Sequence, residues 1–268
     1  MMLVRAEWAK LVGQRGAFFW GFIALPCVLI LFAGVLNGAV PPGAGAAVEI
    51  RPIRTLLRAV GAAGNPFVQL FLAIGAASLF ALEYRHATWR LLVPRRSRTM
   101  LLAAKLAAFA IAAACSLALL SVGNLFAITV PALLRGAHPI ASEAMGAGAV
   151  AVLLTLLVSM LQLLGLAAWV ALMAAVTRST MGAILPPFLL AFASAAIQAY
   201  LGGAPGTILA LPGAAPDLLR AGIAAGFDGA RVVTGGQALA ALAITTAWFA
   251  VPMAAAVLLF TRQDLASE

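Results

Sequence analysis

Six apolar stretches dominate the pattern of hydrophobic and polar positions along the chain. They cover residues 17–36, 66–82, 101–131, 146–176, 182–201 and 237–260. An α-helix needs roughly 20 such residues to cross about 30 Å of hydrocarbon. The third and fourth stretches are longer than a bilayer requires, so we expect them to tilt, kink or extend beyond it. The pattern predicts an all-α membrane protein with six transmembrane helices, which form a single domain over residues 1–268.

The residues ahead of the first stretch predict a short amphipathic elbow helix over residues 1–15. Val4, Trp8 and Leu11 recur at helical spacing and form its apolar side. The polar residues assigned to the opposite side are Glu7, Lys10 and Gln14. Such a helix is expected to lie in the membrane interface.

Composition supports the membrane prediction. Hydrophobic residues make up 64% of the 268 residues and charged residues only 9%. Charge makes up about 25% of a soluble domain, so this chain has too little to cover itself against water. The net charge of +9 is attributed to basic residues that flank the spans. The chain shows no runs of Lys and Arg interleaved with aromatics, so nucleic acid is not an expected partner.

The distribution of Lys and Arg predicts the orientation. With both termini in the cytoplasm, most of the basic residues fall on the inner side, as the positive-inside rule requires. These inner residues are Arg5, Lys10, Arg15, Arg85, Arg90, Arg95, Arg96, Arg98, Lys105, Arg178 and Arg262. We therefore expect a multi-pass protein of the plasma (inner) membrane with cytoplasmic N- and C-termini.

Two segments of the predicted outer side interrupt the simple pattern. Arg51, Arg54 and Arg58 share one side of a short helix, with Pro52 in its first turn. These arginines could lie at the outer headgroup level or line a vestibule that attracts anions. Residues 202–236 are punctuated by Gly and Pro and predict two half-helices that dip into the outer leaflet. Gly34 and Gly38 form one G-x-x-x-G motif, which permits close helix packing.

The polar residues of the spans carry no recognisable catalytic or coupling constellation. The acidic residues lie at span edges, in loops or in tails, whereas proton-coupled transporters place titratable groups at mid-membrane. We expect the neutral polar groups mostly to bond between helices, and a few to touch a polar substrate. They are Gln69, Ser78, Ser121, Asn124, Thr155, Ser159, Gln162 and Gln198.

Motifs for nucleotide hydrolysis or metal binding are also missing from the sequence. It contains no phosphate-loop motif, no nucleophile–base pair at membrane depth, and no metal-ligand spacing around Cys27, Cys115, His86 or His138. The sequence therefore predicts that the chain is not an enzyme and holds no cofactor. Any energised transport would draw on a partner.

The densest polar segment lies between the second and third spans. Residues 83–105 read EYRHATWRLLVPRRSRTMLLAAK. Tyr84, Thr88 and the Leu91–Leu92 pair can share one face of a short helix that Pro94 ends, while Ser97 or Thr99 can cap the third span. The segment fits either a docking helix for a soluble protein or a solvated, positive loop.

Several of these features together resemble the permease subunits of ABC-type exporters of the second class, which handle drugs, peptide antibiotics or polysaccharides. The residues that fit the family's elbow helix are Glu7, Trp8, Lys10 and Leu11, and Phe18–Trp20 fit the aromatic start of its first span. After the second span the matching residues are Glu83, Thr88, Leu91–Leu92, Pro94, Ser97–Arg98 and Lys105. Ala87 replaces the family's usual Gly. The C-terminal residues 260–265 also resemble the family's ending.

The resemblance implies a function for the segment over residues 83–100. In the family this segment contains the coupling helix that contacts the ATPase subunit. The residues that take this role by resemblance are Glu83, Arg85, Thr88, Arg90, Arg95, Arg96 and Arg98. The partners so implied are an ATP-binding cassette ATPase, which binds ATP and Mg²⁺, and a second permease in a homodimer or heterodimer.

The sequence alone leaves several functions open. The leading hypothesis is a permease that exports an amphiphile such as a drug, peptide or lipid. The alternative is a polytopic membrane protein not linked to ATP, such as a channel, an assembly scaffold or a secondary transporter. A membrane enzyme is disfavoured because no catalytic constellation is recognisable.

Overall fold

The regular structure of the described chain is helical. The computed structural model describes residues 2–39, 51–85, 97–135, 145–201, 208–230 and 232–263. An N-terminal helix, Met2–Gly13, precedes the first span. Two further helices lie between spans: the first connecting helix, Pro52–Gly61, which continues into a 3₁₀ turn at Ala62–Gly64, and the last connecting helix, Ala214–Phe227.

Among the residues that the structure describes, six helices are long and apolar enough to cross a membrane. The first span combines Arg15–Phe18, a π-helical turn at Phe19–Ile23, and Ala24–Ala39. The second span is Pro66–Phe80, followed after Ala81 by the short helix Leu82–Arg85. The remaining four spans are Arg98–Leu134, Met145–Thr177, Thr180–Tyr200 and Gly235–Arg262. These helices contain the predicted stretches, except that the second ends at Phe80, two residues before residue 82, and the fifth ends one residue before Leu201.

Large apolar side chains point outward from several spans. Leu31 and Leu239 are each 69% exposed, and Val251 is 67% exposed. Such apolar surface is unfavourable in water and favourable in lipid. Together with the six helices, it confirms the prediction of an all-α, membrane-spanning protein.

The second and fourth spans form the centre of the bundle. The second is the most enclosed of the six, with 67% of its most apolar window buried. The fourth packs against the second, fifth and sixth spans and against the last connecting helix. The first span packs mainly on the third. Both ends of the described chain lie at one end of the bundle, because the N-terminal helix packs on the third span and Gln263 contacts Tyr84 at the end of the second.

Three local expectations require correction. Glu7 was assigned to the polar side of the N-terminal helix, yet it is only 2% exposed. The reason is that it precedes the buried Leu11 by four residues and so shares its face. Ser97 occupies the position before the third span, but its side chain makes no capping hydrogen bond. The described part of residues 202–236 contains one helix instead of two half-helices.

Candidate functional site: a charge cluster at one end of the bundle

Four charged side chains from three separate segments meet at one end of the bundle. They are Glu7 and Lys10 of the N-terminal helix, Glu83 at the end of the second span, and Lys105 in the third span. We call these four residues the charge cluster. Lys105 lies seven residues into its helix, or about 10 Å from Arg98 at 1.5 Å per residue.

Lys105 is the central cation of the charge cluster. Its Nζ donates to Glu7 Oε2 at 2.9 Å and to the Leu79 carbonyl oxygen at 2.6 Å, and it lies 3.0 Å from Glu83 Oε1. The Lys105 side chain is 1% exposed and that of Glu7 is 3% exposed. A buried charge is tolerated only when it is paired and hydrogen-bonded, and Lys105 has both kinds of compensation.

Lys10 completes the charge cluster from its more exposed side. Its Nζ lies 2.7 Å from Glu7 Oε1 and 3.0 Å from Glu83 Oε1. Two carboxylates therefore alternate with two ammonium groups, and the charge cluster is neutral overall. The arrangement fixes the N-terminal helix to the point where the chain leaves the second span.

The charge cluster shifts the pKa values of its two members that lie outside the spans. Burial by itself would raise the pKa of Glu7, but the charge of Lys105 and the hydrogen bonds from Lys10 and Lys105 outweigh it and lower the pKa below 4.5. Burial would likewise lower the pKa of Lys10, but its hydrogen bonds to Glu7 and Glu83 raise it above 10.5. Both groups are therefore held in their charged forms.

The lowered pKa of Glu7 predicts an acid limit to stability. Its contribution is fully present above the unfolded pKa of about 4.5 and is lost as the pH falls through the lower folded pKa. The melting temperature of the purified protein should therefore fall as the pH drops below about 4.5. Glu7→Gln should show a smaller fall over the same range, measured in parallel. Identical pH profiles for the two proteins would contradict this role of Glu7.

A second set of contacts joins the same end of the bundle to the last span. Arg98 Nη1 donates to the carbonyl oxygens of Phe260 at 2.6 Å, Thr261 at 3.1 Å and Gln263 at 2.8 Å. A cation at this position satisfies the free carbonyls of a helix C-terminus and interacts favourably with its dipole. We call these contacts the C-terminal clasp.

Gln263 extends the C-terminal clasp to two further spans. Its Nε2 donates to the carbonyl oxygen of Ala175 in the fourth span at 2.7 Å, and its Oε1 accepts from Tyr84 Oη at 3.1 Å. Thus the second, third, fourth and sixth spans are tied together beside the charge cluster.

The structure places only some of the sequence-predicted site residues. Glu83 is buried in the charge cluster, and Arg98 is half-buried in the C-terminal clasp. Both thus anchor the ends of the segment to the bundle. Arg85 ends the short helix after the second span, and its side chain lies outside the described part of the chain. Thr88, Arg90, Arg95 and Arg96, together with the helix expected around them, also lie outside the described residues.

Sequence reasoning missed the charge cluster as a unit. Glu7 and Lys105 are 98 positions apart, and Lys10 and Glu83 are 73 apart, so no local spacing connects them. The available signal was the presence of two acids and two lysines near span edges at the same predicted side. Among the described residues, no group of His, Cys, Asp and Glu forms a candidate metal site.

The opposite end of the bundle carries its own ionic contacts. The arginine-bearing helix predicted there begins at Pro52, as expected. Arg54 Nη2 lies 2.7 Å from Asp228 Oδ1, which joins the two connecting helices. Arg220 is 8% exposed; its Nη2 lies 2.6 Å from Asp217 Oδ1, and its Nη1 donates to Ser159 Oγ at 3.3 Å. Arg54 and Arg220 thus each pair with an acidic side chain.

Comparison with known proteins identifies no relative of this chain. No protein-family model matches the chain, and no curated protein or solved structure is significantly similar to it.

Proposed function

We propose that the chain is the membrane-spanning permease subunit of an ATP-driven exporter, energised by a separate ATPase subunit. One observation carries the proposal. The residues behind the family resemblance lie far apart in sequence, yet Glu7, Glu83 and Lys105 meet within hydrogen-bond distance. They meet where the chain enters the segment over residues 83–100, which the resemblance assigns to ATPase coupling.

The anchoring of this segment suggests how work would be transmitted. Its first end is tied through Glu83 to the N-terminal helix and the third span, and its second end through Arg98 to the end of the sixth span. A displacement of the segment by an ATPase would therefore move several helix ends together. Rigid-body movement of packed helices is an established route between two transport states.

The proposal assigns the remaining parts as follows. Arg85, Thr88, Arg90, Arg95 and Arg96 contact the ATPase, while Glu83 and Arg98 hold the segment in position. ATP and Mg²⁺ bind to the partner, and two permease chains form the path for an amphiphilic substrate. The charge cluster lies on the cytoplasmic side of the plasma membrane, with both termini.

Charge reversal in the segment tests this proposal. We expect Arg95→Glu/Arg96→Glu to lower the amount of ATPase that co-purifies with the tagged full-length chain at least about ten-fold, because like charges across an interface cost several kcal/mol. The measurement is mild-detergent purification from native membranes, followed by subunit identification by mass spectrometry and an ATP hydrolysis assay.

Arg58→Glu is the control for that experiment. Arg58 is an exposed basic residue of the first connecting helix, at the opposite end of the bundle. It should leave co-purification unchanged. Absence of any ATPase from the wild-type preparation, or full retention in the double variant, would reject the proposed coupling.

Secondary transport is the second candidate, and the buried Lys105 of the third span favours it. Titratable groups buried in a membrane protein are typical of proton relays. In that case, substrate transport in intact cells would stop with a proton uncoupler and persist when ATP is depleted. An ATP-driven exporter should show the reverse pattern.

A further inference from the structure

A cavity of about 200 Å³ lies among the spans and the last connecting helix. The polar side chains of its wall are Gln69, Gln162, Gln198, Asp217 and Thr245, and its aromatic side chains are Trp169 and Trp248. They come from the second, fourth, fifth and sixth spans and from the last connecting helix. The cavity therefore lies where the elements of the bundle converge, apart from the charge cluster.

Most of these polar groups already have hydrogen-bond partners. Gln69 Nε2 donates to the Ala63 carbonyl at 3.1 Å, Thr245 Oγ1 to the Ala241 carbonyl at 2.7 Å, and Trp248 Nε1 to the Ala210 carbonyl at 3.0 Å. Gln198 Nε2 donates to Ser194 Oγ at 3.3 Å. These groups shape the wall of the cavity and are satisfied without a ligand.

Two groups of the wall differ from the rest. Within the described part of the chain, Gln162 Oε1 and Trp169 Nε1 are buried and have no hydrogen-bond partner. Gln162 as a whole is 8% exposed. A buried polar group without a partner is costly, so such groups in native proteins call for a specific explanation. One of the two is an acceptor and the other a donor.

The apolar part of the wall limits the size of the apolar part of a ligand. The rings of Trp169 and Trp248 lie 5.8 Å apart at an angle of 39°, and Leu166 and Leu190 are among the other apolar residues of the lining. Cavities of about 150 Å³ admit a molecule of the size of benzene. The cavity therefore has room for one ring or a short alkyl chain with a small polar head.

The two unpartnered groups determine which polar head fits. An uncharged carboxamide can donate its N–H to Gln162 Oε1 and accept from Trp169 Nε1–H through its carbonyl oxygen. An ammonium group would leave the indole N–H unpaired. A carboxylate has no N–H or O–H to donate and would be repelled by Gln162 Oε1.

We propose that this cavity is a binding site for apolar molecules that carry an uncharged carboxamide group. The cavity would hold the amide-bearing end of the ligand, which could come from water, as part of a drug or peptide, or from the bilayer, as the end of a fatty amide. The proposal concerns binding to this chain alone and requires no ATPase. It can therefore fail while the proposed exporter function stands, and the exporter function can fail while this binding site stands.

Titration with small probes tests the proposal on the purified full-length chain in detergent. Tryptophan fluorescence is followed, with empty micelles as the blank. Phenylacetamide should bind saturably. Phenylethylammonium, phenylacetate and ethylbenzene should bind at least about five-fold more weakly, because each lacks at least one of the two hydrogen bonds. Competition by oleamide against phenylacetamide distinguishes the two sources. If oleamide displaces phenylacetamide at a lower concentration than phenylacetamide itself needs for binding, the ligand comes from the bilayer. If oleamide needs the higher concentration, the ligand comes from water.

Substitution of the two unpartnered groups provides the decisive comparison. Gln162→Leu and Trp169→Phe should each weaken phenylacetamide binding about five-fold and leave ethylbenzene binding unchanged. Trp248 remains as the fluorophore in Trp169→Phe. Asn124→Leu, at a half-buried polar residue of the third span away from the cavity, should bind like the wild type.

Two outcomes would overturn the proposal. One is a non-saturable response to phenylacetamide, which would mean that the cavity holds only water. The other is wild-type affinity in both cavity variants. If melting curves show that one variant does not fold, the other decides the question, because each removes one of the two hydrogen bonds.

Discussion

Lys105→Met is expected to lower the free energy of unfolding by about 3–5 kcal/mol, the usual cost of removing one partner from a buried ion pair. Lys105 is 1% exposed and pairs with both Glu7 and Glu83. Without it, two buried carboxylates share only Lys10. Melting in detergent, or unfolding by SDS, measures the loss.

Two further variants separate the charge effect from the loss of packing. Lys10→Met should cost only about 1 kcal/mol, because the Lys10 side chain is 43% exposed and its ion pairs are screened by solvent. Glu7→Gln combined with Lys105→Met should be more stable than Lys105→Met alone, because it removes one uncompensated carboxylate. A melting temperature of Lys105→Met equal to that of the wild type would mean that the charge cluster contributes no stability.

Gly21→Ala is expected to cost about 3 kcal/mol, the upper end of the usual range for overpacking. Gly21 lies in the π-helical turn of the first span, directly against Gly75 of the second. An added Cβ would lie 2.6 Å from Gly75 Cα and 2.8 Å from Gly75 N. These are backbone atoms, so the contact can be relieved only if the two spans separate. Melting in detergent again measures the effect.

Gly34→Ala is the matched control within the same span. A Cβ at Gly34 would meet Ala127 Cβ at 3.8 Å, which is an ordinary van der Waals distance. We expect this variant to be as stable as the wild type or slightly more stable, because alanine favours the helix by about 0.5–1 kcal/mol over glycine. Equal melting temperatures for the Gly21 and Gly34 variants would contradict the close approach of the first two spans.

The charge cluster and the C-terminal clasp have a common mechanical consequence for the proposed function. The segment between the second and third spans is held at both ends by buried or half-buried polar contacts. A weakened charge cluster would therefore be expected to uncouple an ATPase from the bundle before it disrupts the spans themselves. Lys10→Met, the mildest substitution in the charge cluster, is suited to that comparison.

The spans could be predicted from the sequence because membrane insertion depends on a local property. A stretch such as residues 237–260 is apolar for long enough to cross hydrocarbon, and its backbone must then form a helix to satisfy its own hydrogen bonds. The same reasoning predicts a helix that begins at Pro52, since proline suits the first turn. These features follow from neighbouring residues alone.

The packing contacts could not be predicted in the same way. The G-x-x-x-G motif permits close packing at Gly34, where an added Cβ would meet Ala127 Cβ at 3.8 Å, but no motif indicated the tighter approach of Gly21 to the backbone of Gly75. The spans' neutral polar groups were expected mostly to bond between helices. Ser78 and Thr155 instead donate to carbonyls within their own helices, whereas Gln162 lines a cavity and its Oε1 has no hydrogen-bond partner.

The sequence by itself determined that this protein is a set of six membrane-spanning helices with a basic segment between the second and third. Only the tertiary structure decided that Glu7, Glu83 and Lys105 form one buried unit, and that Gln162 and Trp169 share a cavity wall. The physical reason is that hydropathy acts over one helix length. Contacts between residues 98 positions apart depend on how helices cross, which hydropathy does not encode.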